Sequence, residues 1–408
     1  MKLGNIAKRS LAKTIFGNKK REPPQTTVFK LLNGGDAWFS PWNGSIYNDD
    51  TVRACIDTIA RHFAKLKAIH INKTGGHRTI INDTLGRLLS YRPNEFMSSY
   101  DFFYKVISQL HTYNNAFVYI KMDKKGNIVG LYPLDYLTME LREDIDGQIY
   151  ARFELGAGRE VVPYEDLIHL RKHFNLNEVY GENTHTIFKG PLSVLKAAKN
   201  SIAVAINNSG ILRGILKFSG VLHNDDLKKK HDAFVDTYVN EGNNGSRIAT
   251  MDNTADYIEL KSDYTVADSS QVDTARNDIY RLFGVNDKII QGNFTEEEYI
   301  AFYESIIEPL IVQFSQEFTD KLLTEKEKAL GEEIYFESNR LNYASTKTKV
   351  SIMQYLGQQG ILTTNEVREM FGWAPVEDGD KRLVSLNYVN AKKQDEYQGV
   401  GGGETEDE

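Results

Sequence analysis

Apolar residues first settle into helical spacing after Asn48 and Asp49, where Val52, Cys55, Ile56, Ile59, Phe63 and Leu66 fall on one face and either polar residue can cap the first turn. A second helical stretch, SSYDFFYKVISQLHTY, follows. The period then shortens: AFVYIKM, the pair Gly126-Asn127 and IVGLYPLDYLTMEL predict strands joined by a tight turn, and REVVPYEDLIHLRKHF adds another strand. Helices before and among antiparallel strands predict an α+β domain from about Asp49 to Phe174.

Gly190-Pro191 marks a break, after which PLSVLKAAKNSIAVAINNSGIL predicts a helix. Its small residues Ala197, Ala198, Ala203, Ala205 and Ser209 alternate with Leu195, Ile202 and Ile206, and such a surface lets neighbouring helices approach closely. An amphipathic helix capped near Asp225 or Asp226 comes next, with Leu227, Phe234 and Tyr238 on one side and Lys228, Lys229 and Lys230 on the polar side; SRIATM and DYIELK are strand-like. DSSQVDTARNDIYRLFG predicts a helix ended by Gly284, and VNDKIIQGNF a loop. Thr295 and Glu298 form a capping box that opens the longest helix, with Phe302, Ile306, Leu310, Phe314, Phe318 and Leu322 on its apolar side. Pro309 lies inside it and should kink or split it. EIYFESN predicts a strand, and TKTKVSIMQYLGQQG with TTNEVREMFGWAP a helical hairpin, the second helix opened by Thr363 and Glu366 and ended by Gly372.

At 408 residues the chain exceeds what one hydrophobic core serves, so two or more packing units are expected. One cysteine, Cys55, excludes an intrachain disulfide and a cysteine-rich zinc cluster, and fits a reducing, cytosolic origin. Its place on an apolar helix face reads as a small buried hydrophobe. No apolar run reaches the roughly 20 residues that span a bilayer, so no membrane is expected. The basic opening stretch before Pro23-Pro24 reads as a solvated arm and the glycine-rich, acidic end GVGGGETEDE as a disordered tail. A net charge of −7 argues against gripping DNA, because that affinity comes from cations displacing counterions from phosphates; a surface past which DNA slides is better neutral or negative.

Catalytic patterns are missing from the sequence. Neither a Walker loop nor G-x-G-x-x-G stands between a strand and a helix, and G-x-S-x-G and H-E-x-x-H are absent. His169 and His173 would share a face only if helical, and their surroundings look like a strand end, so no metal site and no cofactor are expected. The acidic pairs Asp49-Asp50 and Asp225-Asp226 open the alternative of a metal-dependent DNA-processing enzyme, but both stand where carboxylates cap helices. The many aromatics have no basic groove beside them, which favours packing over nucleic-acid stacking.

Several segments together carry a family resemblance: VRACIDTIARHFAKLKAIH, LLSYRPNEFMSSYDFF, YNNAFVYI, GPLSVLKAA, SGVL, IYRLFGVNDKIIQG, ESIIEPLIVQF and GILTTNEVREMFGWAPVEDGD. In kind, order and spacing they resemble the phage portal proteins of the HK-ninety-seven-like type, apart from Asn286, where relatives often have proline. The resemblance implies a multi-domain α+β subunit in a ring, commonly of twelve, at the capsid vertex of a virion assembled in host cytoplasm. It implies a wing (49–190 with 296–340), stem helices (191–216 and 266–284), a clip (217–265), a tunnel loop (285–295) and crown helices (341–390), between a basic arm (1–48) and an acidic tail (391–408). The implied partners are further copies of the chain, double-stranded DNA in transit, the terminase large subunit, a head-tail adaptor, and capsid and scaffold proteins. Lys288, Gln291, Gly292, Asn293 and Phe294 are then the expected DNA-facing residues, and Lys228, Lys229 and Lys230 the expected docking residues. A head or tail adaptor that never meets DNA is a further alternative.

Overall fold

The computed structural model describes residues 30–31, 46–74, 77–144, 146–156, 158–175, 179–182, 184–209, 214–218, 223–238, 255–259, 269–337 and 346–384. The chain divides into two compact units: the described residues of 1–41, 56–182 and 287–408 form one, and those of 42–55 and 183–286 the other.

The helix Asp50–Phe63 starts where the sequence places it. Asp49 Oδ1 accepts from the amides of Thr51 (2.9 Å) and Val52 (3.3 Å), so Asp49, not Asn48, is the cap. Val52, Cys55, Ile56, Ile59 and Phe63 are buried as its spacing requires.

Phe63 opens the core of the first unit. It meets Phe314 at 4.5 Å between ring centroids, Phe336 at 5.7 Å and Phe103 at 6.2 Å; Phe318 lies 5.8 Å from Phe336 and 6.0 Å from Phe103. All five rings are fully buried, at the offset and edge-on angles that aromatic quadrupoles favour. They come from distant parts of the chain. Phe103 belongs to the helix Ser99–Tyr113, begun by a capping box of Ser98 and Asp101, and Phe336 to the strand Glu332–Glu337, which pairs antiparallel with Lys67–Thr74. His77–Ile80 completes that sheet.

A second three-stranded sheet has Asn115–Met122 at its centre, flanked by Ile128–Pro133 and Leu167–Arg171. Residues 115–120 are buried without alternation, as suits a strand covered on both faces. The strands Thr138–Glu143, Ile149–Leu155 and Gly158–Pro163 form a meander, to whose edge Lys30–Leu31 adds a short antiparallel segment. Phe117, Tyr136, Met139, Phe153 and Tyr180 belong to a core cluster shared by these last two sheets.

The long helix is divided near Pro309, as the sequence suggests, by a π-helical turn. It runs as Glu296–Phe302, a π-helical turn Tyr303–Ile307, then Glu308–Leu322, with Pro309 in the first turn of the last part. A proline lacks an amide and its ring crowds the carbonyl four residues back; the wider π turn just before Pro309 accommodates both defects. The helix is tied to each three-stranded sheet, since Gln313 Nε2 donates to Arg171 O (2.6 Å) and Thr319 Oγ1 accepts from the Ile334 amide (2.9 Å).

The C-terminal part departs from expectation. Between the helices Thr346–Gln358 and Thr364–Met370 lies a strand, Gln359–Thr363, paired with Arg382–Val384, so the expected helical hairpin is a helix-and-ribbon module. Ile361 and Thr363 in this strand are β-branched, which suits a strand better than a helix end.

In the second unit the helix Thr184–Ser209 contains Pro191 in its interior, so Gly190-Pro191 is not a break. The helix is described to Ser209, and Gly214–Phe218, which overlaps the expected helix end at 216, is instead a strand paired with Ala255–Glu259. The helix Ser269–Phe283 packs along Thr184–Ser209, with Phe283 stacked on Phe188 at 5.0 Å. SRIATM lies outside the described residues, as do the basic arm up to residue 29 and the acidic tail.

Candidate functional site

The segment after Gly284 is more ordered than a loop. Gly284 has φ +69°, the Val285 amide reaches Tyr280 O and the Gly284 amide reaches Arg281 O, which is a Schellman end to Ser269–Phe283. A one-and-a-half-turn helix, Asp287–Gln291, then stands where the sequence suggests irregular chain. Gly292, φ +73°, ends it in the same manner, with Asn293 N bonded to Lys288 O (2.9 Å) and Gly292 N to Ile289 O (3.3 Å). Both glycines occupy the left-handed region that a side chain would strain.

Each expected DNA-facing residue has a definite setting. Lys288 Nζ donates to Glu298 Oε1, and that contact, before the Thr295 amide, holds the Glu298 carboxyl below its usual range. Gln291 Nε2 donates to Asp287 Oδ2 (2.6 Å). Lys288, Gln291, Gly292 and Asn293 are exposed. Phe294 is not: it is half-buried, stacked on Tyr299 at 5.1 Å and edge-on to His62 at 6.4 Å. Thr295 and Glu298 make the capping box read from the sequence.

His62, which no sequence motif singles out, stands at the centre of this packing. Its Nδ1 lies 3.2 Å from the Tyr299 hydroxyl and its ring meets Tyr299 at 5.3 Å and Phe302 at 5.5 Å. Burial, helped by Lys65 and Arg61, pushes its pKa down to about 4, so the ring is neutral near pH 7. The 237 residues separating His62 from Tyr299 leave no local signal by which the pair could be found.

Lys228, Lys229 and Lys230 lie in the first half of the helix Asn224–Tyr238, where every residue from 223 to 233 is exposed. Leu227 is 40% exposed, so among the described residues this part of the apolar side stays open to solvent.

The residues weighed for chemistry have structural settings. Cys55 is fully buried and desolvation pushes its thiol up to about 12, leaving it protonated. His169 is on a strand, stacked on Phe117 at 4.1 Å, with Nε2 3.0 Å from Asn115 Oδ1 and Nδ1 2.9 Å from the Tyr164 hydroxyl. His173 has φ +51° beyond the strand end, and the two do not share a helix face. Among the described residues no group of three His, Cys, Asp or Glu side chains is placed to hold a metal ion, and no helix is long and apolar enough to cross a membrane.

Residues 50–372 match the family model described as phage portal protein. The chain belongs to that family. The matched span includes Lys228, Lys229 and Lys230 and the whole segment 288–294. A probable portal protein of Lactococcus phage p2 is 26% identical over 384 residues, covering 90% of this chain and 93% of its own. The portal protein of Enterobacteria phage HK97 is 20% identical, covering 76% of this chain and 74% of its own. Among solved structures, a chain in the neck of a native GTA particle computed with C12 symmetry superposes with TM-score 0.56 at 18% identity, over 80% of this chain and 91% of that one. A chain in the neck of an empty GTA particle, computed with C6 symmetry, gives 0.57 at 17% identity, with the same coverage. The portal fold is therefore present along most of the chain.

Proposed function

We propose that this portal family member is one subunit of a ring, of twelve copies as the resemblance implies, that sits at the capsid vertex and conducts double-stranded DNA during packaging and ejection. The observation that carries this reading is the family match over residues 50–372, joined by portal relatives aligned over most of their own length. The C12 symmetry of the GTA neck supports the ring number. Charge supports a conduit: twelve copies at −7 sum to roughly −80, which favours gliding over adhesion where it faces the channel.

In this reading residues 49–190 and 296–340 are the wing, 191–216 and 266–284, which include most of the helices Thr184–Ser209 and Ser269–Phe283, the stem, 217–265 the clip, 285–295 the tunnel segment and 341–390 the crown. The arm and tail, 1–48 and 391–408, flank them. Lys288, Gln291, Gly292 and Asn293, being exposed, meet passing DNA, while Phe294 anchors their segment. Lys228, Lys229 and Lys230 form a cationic docking surface for the terminase large subunit and later the head-tail adaptor. Capsid and scaffold proteins contact the outer parts, the finished ring belongs to the virion, and the subunit carries no catalytic step.

Electron microscopy with mass determination on the purified chain, alone and with capsid and scaffold proteins, tests the ring. A closed ring with a channel of about 20 Å or more, the width of a duplex, is the expected result. Monomers under every assembly condition would refute it. Deleting residues 291–294 should leave ring assembly intact and impair packaging or DNA retention; unchanged packaging removes the tunnel assignment.

A further inference from the structure

The segment 287–295 contains few apolar side chains of its own, yet its chain path is closely defined. The buried Ile289 holds its helical part, and three braces act on the turn that follows. The Schellman end at Gly292 fixes the turn, the Lys288–Glu298 ion pair closes it from the polar side, and Phe294 closes it from the apolar side by stacking on Tyr299. The first two are local and exposed, and solvent screening leaves the ion pair weak. The third depends on how the Tyr299 ring is held. Tyr299 is buried, and its hydroxyl faces Nδ1 of His62, a residue from a different helix whose ring also lies edge-on to Phe294.

We infer that His62 is the positioning residue of the exposed segment: with Tyr299 it forms a platform that seats Phe294 and thereby fixes where Lys288, Gln291 and Asn293 are presented. The inference rests on the tunnel reading only for its consequence, since the seating itself is a property of the subunit. A phenylalanine on a short connection between helices is costly to leave in water, so its seat sets the resting position of the residues beside it. His62 itself stays behind the segment and acts through Tyr299 and Phe294.

A nitroxide at position 293 reads this directly, because Asn293 is exposed and the native thiol, Cys55, is buried and protonated and so does not compete for the label. Asn293→Cys is labelled in the full-length protein, and its spectrum is compared with that of the same labelled protein carrying His62→Ala, Tyr299→Phe or both. The expected result is a several-fold faster label motion in either single variant at temperatures where circular dichroism shows the fold intact. The double variant should add little to either, because both remove one coupled interaction. Tyr299→Phe deletes a single oxygen and carries the test should His62→Ala fail to fold. A label as slow in Tyr299→Phe as in the parent, or strictly additive effects, overturns the inference. Packaging assays on the same variants separate the two ideas: a mobilised label with normal packaging keeps the platform and sinks the tunnel role, whereas an unmoved label sinks the platform alone.

Discussion

Gly181 is a position where one methyl group decides stability. A Cβ there would lie 2.3 Å from the carbonyl oxygens of both Asn114 and Lys172, and neither is a flexible side-chain end. The same residue donates its amide to Asn115 Oδ1, which also receives His169, so any shift breaks a buried network. Gly181→Ala should cost about 3 kcal/mol or more, read as a lowered urea midpoint. Gly190, inside the helix Thr184–Ser209, is different: apart from its chain neighbours and its own helix backbone nothing lies within 4 Å of where a Cβ would stand. Pro191 follows it, however, and a Cβ on a helical residue just before proline meets the ring, which offsets the usual gain, so Gly190→Ala should leave the urea midpoint near the parent value.

Three histidines make the first unit acid-sensitive. Burial holds His111 and His169 well below the usual imidazole pKa and brings His62 to about 4. Folded pKa values under the unfolded 6.5 mean that the unfolded chain takes up protons first, so stability is complete above about pH 6.5 and falls as pH drops. Each ring that stays neutral costs about 2 kcal/mol at pH 5. Denaturation at pH 7 and pH 5 should show this loss, and replacing His169 with Asn should reduce the slope even while lowering stability at pH 7.

At the scale of elements, helix starts were legible because capping is local. Thr295 with Glu298 and Thr363 with Glu366 form the reciprocal capping boxes read from the sequence, and the structure adds another at Ser98 with Asp101. Thr295→Ala should cost about 1 kcal/mol, measurable by thermal melting, with faster amide exchange confined to the first turn of Glu296–Phe302. Where local signals conflict, the sequence misleads. Pro191 argues for a break but lies within a helix, and the link read between two hairpin helices is the strand Gln359–Thr363, set by tertiary pairing with Arg382–Val384. The pairing of Glu332–Glu337 with Lys67–Thr74 has no local cue at all. Phe336→Ala removes a ring from the five-phenylalanine core and should cost about 3–5 kcal/mol by chemical denaturation.

For the whole molecule, the docking proposal predicts a separation of fold from function. Changing Lys228, Lys229 and Lys230 to Glu touches only exposed positions, so secondary structure and melting temperature should stay near the parent values. Binding to terminase or adaptor in a pull-down should weaken and lose its salt dependence. Unaltered binding would remove these lysines from the docking surface.

The sequence alone determined what depends on short range: helix periodicity, caps, the glycines that end helices, the class of the fold and the ordered motifs that resemble portal proteins. It also placed Cys55 on a buried face, because position on a helix is set by spacing. Tertiary structure decided which distant elements share a core and what each exposed segment rests upon. Phe294 reads in the sequence as a residue free to project from a loop, and is an anchor because Tyr299 and His62 are folded against it. Periodicity records that a side chain is apolar and which way it points along its own element; the partner that buries it is chosen by packing between elements far apart in the chain.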